Sequence, residues 1–157
     1  MSINRVLVFF TVCGALIWAP GSLSAQDPLK GSLGKTTSLK CTFTLMSVGT
    51  WGKERPEAKI QPANLVLQFD AINTDEGTAE LKAGFGKYDI IVRYAGGYLH
   101  FIQSFLDGQL YTTTILEKKT ASGKLKAMHS RHEHTDVSLP GFTSSPEQYY
   151  GECEIIN

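Results

Sequence analysis

From Leu39 onward, apolar side chains alternate with polar ones instead of recurring at helical spacing, and that period predicts strands. Leu39, Cys41, Phe43 and Leu45 share one face, with Lys40, Thr42 and Thr44 opposite. Leu65, Leu67 and Phe69 alternate with Val66, Gln68 and Asp70, and Ala79, Leu81 and Ala83 with Glu80 and Lys82. Tyr88, Ile90, Val92 and Tyr94 fall together, opposite Asp89 and Arg93. Leu99, Phe101 and Gln103 oppose Tyr98, His100 and Ile102. Leu110, Thr112 and Thr114 oppose Tyr111, Thr113 and Ile115, in a β-branched run that favours strand over helix. Leu125, Ala127 and His129 oppose Lys126, Met128 and Ser130, and Tyr149, Gly151, Cys153 and Ile155 close the series.

Turn chemistry separates most of these segments. Asn73 to Gly77, Gly84 to Gly86, Ala95-Gly96-Gly97, Asp107-Gly108 and Ser122-Gly123 all carry residues that tolerate positive φ. Two stretches read as long loops: Gly49 to Ala63, with Pro56 and Pro62, and Thr135 to Glu147, with Pro140, Gly141 and Pro146. Eight strands on short links predict an all-β antiparallel meander, and a meander of that length closes into a barrel to remove its exposed edges. The alternative is a two-sheet β-sandwich.

The N-terminus changes the compartment. Arg5 precedes an apolar run from Val6 to Ala19, about 14 residues and short of the ~20 that span a bilayer. Pro20-Gly21 breaks the run, and Ser22 to Ala25 supplies small residues, the grammar of a secretory signal peptide. The expected organisation is a signal peptide over residues 1–25, a flexible lead-in over 26–36 and one β domain over 37–157. The exported chain would be periplasmic or secreted, with no stable membrane insertion after cleavage. Cys13 leaves with the signal, so Cys41 and Cys153 remain to pair in an oxidising compartment. They lie on the first and last strands, so a bridge makes those strands neighbours.

Charge excludes one class of partner. The chain carries 15 basic and 15 acidic residues with no basic stripe, which gives nucleic-acid binding no electrostatic support.

Candidate chemistry gathers in His129-Ser130-Arg131-His132-Glu133-His134. His132 and His134 share a strand face and could hold zinc, with a third ligand from His100, Asp136 or Glu152. Otherwise no cofactor is expected. Arg131 alternates onto the internal face, where it needs a carboxylate such as Asp70, Asp89 or Glu152. The structural reading makes it a fixed ion pair near the barrel mouth, and the functional reading an anchor for a ligand. Tyr149 and Tyr150 point to opposite faces, and Gly151 marks a bulge or the close approach of another backbone. Arg131, Tyr149, Tyr150 and His100 are the candidate ligand-binding residues. A catalytic set is not assigned, since no serine sits in a G-x-S-x-G context and paired cysteines leave no thiol nucleophile.

Ala127-Met128-His129-Ser130-Arg131-His132, followed by Pro146 to Glu154 with its Gln148-Tyr149-Tyr150-Gly151-Glu152-Cys153, resembles a group of small exported bacterial proteins without assigned activity. The resemblance covers about the last quarter of the chain and implies export and a β-rich domain, with no reaction to carry over. Gly49-Thr50-Trp51 matches the short G-x-W signature of the lipocalin family. That signature opens the family's first strand, whereas here it falls at the end of the first strand. With the strand count, the resemblance implies a lipocalin-like (calycin) barrel.

Three functions follow as expectations. The first is non-enzymatic binding of a small ligand inside or at the rim of the barrel. The second is an interaction or inhibitor module whose partner is an envelope protein, reached through the two long loops. The third is a metal-dependent enzyme using the His129–His134 cluster.

Overall fold

The computed structural model describes residues 31–51, 55–83, 86–134 and 145–156. Eight strands follow one another: β1 (Leu39–Trp51), β2 (Pro56–Asn73), β3 (Thr78–Ala83), β4 (Gly86–Ala95), β5 (Tyr98–Ser104), β6 (Leu110–Lys119), β7 (Leu125–His132) and β8 (Glu147–Ile155). Each pairs antiparallel with the next, and β8 returns to pair with β1, so the sheet closes as a barrel in sequence order. The sandwich is therefore not the architecture adopted. The expected signal segment and residues 135–144 of the second expected loop lie outside the described residues.

The alternation read from the sequence places the core. Leu39, Cys41, Phe43, Leu67, Phe69, Leu81, Val92, Leu99, Phe101, Ile115 and Ala127 all turn inward and are buried. Phe69 and Phe101 stack across the lumen with centroids 3.9 Å apart and planes 11° apart. This barrel is filled by its own side chains, as small eight-stranded barrels commonly are.

Cys41 and Cys153 face each other in the β1–β8 ladder, Cα atoms 4.0 Å apart, and form a disulfide between residues 112 positions apart. The bridge lies inside the barrel, on the seam where the ends of the meander meet.

Two expectations are corrected. The stretch Gly49 to Ala63, read as a loop because of its prolines and charges, is mostly strand. β1 continues to Trp51 and pairs with β2 from Pro56 onward, so a two-stranded arm extends past the barrel. The prolines fit because Pro56 opens β2 and Pro62 lies beside the register shift between Phe43 and Leu45. The ladder from β2 to β3 begins only at Gln68, so residues 56–67 are an edge, where a sheet tolerates proline.

The expected flexible lead-in is a plug over its described residues. A 3-10 helix, Leu33–Lys35, drives Leu33 fully into the barrel end formed by the β2–β3, β4–β5 and β6–β7 turns. Glu117 holds it, accepting from Ser32 Oγ (3.0 Å), the Leu33 N–H (3.3 Å) and Tyr94 Oη (3.1 Å). These hydrogen bonds, led by that from Ser32, keep the Glu117 carboxyl below its ordinary range. Tyr94 Oη also accepts the Gly31 N–H at 3.1 Å, and Thr74 donates to the Gly34 carbonyl at 2.9 Å. One end of the barrel is thereby closed, and the chemistry-bearing residues collect at the other.

Candidate functional site

Registration of β6, β7 and β8 lays out two inward rows at the end opposite the plug. The outer row is Tyr111, Arg131 and Glu147, and the row beneath it is Thr113, His129 and Tyr149. Strand alternation alone turns all six inward, because Ile115, Ala127 and Gly151 form the next row down.

Arg131 is the centre of the outer row. Its guanidinium carbon lies 5.4 Å from the Tyr111 ring centroid and 5.3 Å from that of Tyr149, within cation–π range of both. Arg131 Nη1 stands 3.8 Å from Glu147 Oε2. The Arg131 side chain keeps 24 % of its surface exposed, whereas that of Glu147 keeps 2 %. Each tyrosine hydroxyl is in turn fixed by a carboxylate: Tyr149 donates to Glu147 and Tyr111 to Glu133, both at 2.5 Å.

His129 is buried beneath Arg131 among the rings of Phe43, Tyr111 and Tyr149, with centroids 5.7–6.1 Å away. Arg131 donates its Nε–H to His129 Nε2 at 3.4 Å. Nε2 is therefore the acceptor nitrogen, and Nδ1 carries the proton it shares with Thr113 Oγ1 at 2.8 Å. Burial, with the Arg131 charge beside it, pushes the imidazole pKa down to about 3. Burial and the Glu133 carboxylate push the Tyr111 hydroxyl up to about 12, and burial with Glu147 raises that of Tyr149 as well.

Between this cluster and the stacked phenylalanines runs a narrow recess. Phe69, Leu81, Ile90 and Phe101 form its apolar walls, and Gln103, Tyr111, Thr113 and His129 its polar side. Its cavity volume is about 10 Å³, room for the centre of one water.

The structure separates the four candidate ligand-binding residues into two pairs. Arg131 and Tyr149 meet inside the mouth. His100 and Tyr150 lie on the outer wall, where His100 Nδ1 shares a hydrogen bond with Thr114 Oγ1 (3.0 Å) and Tyr150 donates to Gln148 Oε1 (3.0 Å). The expected carboxylate partners of Arg131 are corrected too. Asp70 pairs with Lys82, Asp89 is exposed on β4 opposite Glu80, and Glu152 accepts from Thr120 (2.9 Å) and Ser122 (2.7 Å) near the plugged end. Among the described residues its carboxylate partner is Glu147, which stands one residue before the stretch from Gln148 whose alternation predicts a strand.

His132 ends β7 on the outer face, while His134 lies beyond the strand with its ring 5.4 Å from that of Trp51. Among the described residues no three His, Cys, Asp or Glu side chains gather to hold a metal ion. The expected third ligands do not converge: His100 is on β5, Glu152 is near the plugged end, and Asp136 lies outside the described residues.

Gly151 has the close approach that its place in the strand implied. A Cβ there would collide with the Thr42 carbonyl oxygen and lie 2.7 Å from Phe43 Cα. The chain matches no protein-family model, no curated protein and no solved structure.

Proposed function

We propose that this is an exported, non-enzymatic binding protein that takes a small, uncharged ligand at the end of the barrel opposite the plug. The observation that carries this reading is the recess beneath Arg131, whose polar groups are preset without being poised for proton transfer. General acid–base catalysis needs a group titrating near the working pH. Here the imidazole is held neutral at about 3 and the Tyr111 phenol protonated up to about 12. Arg131 is balanced by Glu147, so a charged ligand gains little there. Four apolar walls and the Gln103 amide bound a space that admits the tip of a ligand, no larger than one water molecule. The small volume puts most of such a ligand at the mouth, not deep in the lumen. Export to the periplasm or the medium is supported by the signal-like N-terminus together with the disulfide.

A fragment library of neutral ring compounds and short amides, screened by methyl NMR of Leu81 and Ile90, tests the reading. The expected result is a set of compounds that shift both residues, with the shifts abolished in Gln103→Trp, which fills the recess. No compound shifting them, or shifts that survive Gln103→Trp, would refute it.

A second reading, interaction with an envelope protein, is favoured by the β1–β2 arm, which leaves Trp51 63 % and Ile60 75 % exposed. Pull-down with wild type and with a Trp51→Ser/Ile60→Ser variant separates it from the first reading. An identical partner list from both counts against it.

A further inference from the structure

The outer wall of β5, β6, β7, β8 and β1 carries no formal charge over two full rows. One row is Ile102, Thr112, Ser130, Gln148 and Ser47. The next is His100, Thr114, Met128, Tyr150 and Leu45. These are outward positions of a sheet whose inward face fills the core, the places where alternating strands normally carry charge. Charge returns at the margins, with Arg93 on β4 and the opposed Lys126 and Glu152 one row further on.

Aromatic rings stand at both sides of this wall. Tyr98 is 42 % exposed and Tyr150 39 %. The Tyr98 and His100 rings lie parallel, 1° apart in plane with centroids 6.0 Å apart, and form a stacked pair on β5. Tyr150 is held by its hydrogen bond to Gln148. His100 and Tyr150 are three strand spacings apart, about 14 Å. Between them lie the Thr112, Thr114 and Ser130 hydroxyls, which both donate and accept.

We propose that this wall is a binding site for a neutral polysaccharide, separate from the recess inside the barrel. Sugar rings present apolar C–H faces and rims of hydroxyls, the two features that the exposed aromatics and the uncharged donors and acceptors address together. A charged polymer would bring charges onto a face with nothing to pair them. A second copy of the chain fits less well: two rows over five strands cover roughly 300 Å² of a convex surface, against about 800 Å² per partner in a stable complex.

The test is affinity electrophoresis of the mature protein through native gels holding soluble neutral polymers: a β-1,3-glucan, a substituted cellulose, xylan, galactomannan, starch and dextran. Polygalacturonate serves as the charged control. At least one neutral polymer should retard the wild type. Tyr98→Ala and Tyr150→Ala should each weaken that retardation about tenfold, the loss of one stacking ring. Ser130→Lys should weaken it without removing any group from the core, and all three variants should melt cooperatively within about 2 °C of wild type. No retardation by any neutral polymer, retardation by polygalacturonate alone, or retardation undiminished in the variants overturns the proposal. So does a wild-type dimer in sedimentation that Ser130→Lys dissolves, because the wall would then join copies of the chain.

Discussion

Replacing Gly151 by alanine should be among the most damaging single-methyl additions available to this fold. The added Cβ would overlap the Thr42 carbonyl oxygen and sit 2.7 Å from Phe43 Cα and 2.8 Å from Thr42 C. All three are backbone atoms of β1, so no side chain can rotate away. Relief requires β1 to retreat from β8 where Gly151 pairs with Phe43, beside the register shift at Phe43/Leu45 and two residues from the Cys153 end of the bridge. Overpacking costs about 1–3 kcal/mol, and two ladder hydrogen bonds lengthened by the retreat about 1 kcal/mol each. The sum is about 3–5 kcal/mol, or some 10–20 °C in melting temperature for a domain of this size. The assay is thermal and urea unfolding of the purified protein, with Gly49→Ala as control. At Gly49 an added Cβ meets nothing nearer than the Pro146 carbonyl at 3.8 Å, so that variant should lie within about 0.5 kcal/mol of wild type. A Gly151→Ala protein melting within about 2 °C of wild type would show that β1 and β8 are not packed this closely.

Three further predictions follow from features already described. His129 has its folded-state pKa lowered from 6.5 to about 3, so its contribution is fully present above pH 6.5 and is lost as pH falls toward 3. Unfolding free energy should fall by about 1.4 kcal/mol per pH unit below 6.5. Urea titrations at pH 7 and pH 5 on wild type and His129→Gln measure it, and equal slopes in both proteins would contradict the buried neutral imidazole. The double variant Cys41→Ser/Cys153→Ser should lose about 2–5 kcal/mol by urea unfolding, and thiol titration of denatured wild type should find neither cysteine free. Leu33→Ala should cost about 2–4 kcal/mol by thermal melting, whereas a change under about 0.5 kcal/mol would mean that the plug does not seal the barrel.

Strand alternation was legible because each inward position contributes to one continuous core: the period-2 reading places Leu39, Cys41 and Phe43, or Leu99 and Phe101, without knowledge of their neighbours. Closure was legible through Cys41 and Cys153, since a bridge between first and last strands implies their adjacency. The arm was not, because proline signals loop until it is known that Pro56 and Pro62 lie on an edge whose ladder begins only at Gln68. The plug was hidden for a related reason: Gly31, Ser32 and Gly34 read as linker composition, and their hydrogen-bond partners Tyr94 and Glu117 lie far along the chain. At the mouth, the inward direction of Arg131 followed from its neighbours, but its partner did not. Glu147 opposes it only through the β7–β8 register, which depends on how residues 133–146 connect the strands. Tyr111 and Thr113 alternate with recognised positions and could have been found by asking which polar residues share the face of Ile115.

The covalent seam has a consequence for how copies of this protein behave when crowded together. A meander barrel can open at one ladder, the one joining its chain ends, and offer two raw strand edges to a neighbour. Strand exchange between copies starts from that kind of opening. With Cys41 tied to Cys153, β1 and β8 cannot part far enough to lend either strand, whatever the local concentration. The bridge thus removes strand exchange at this seam.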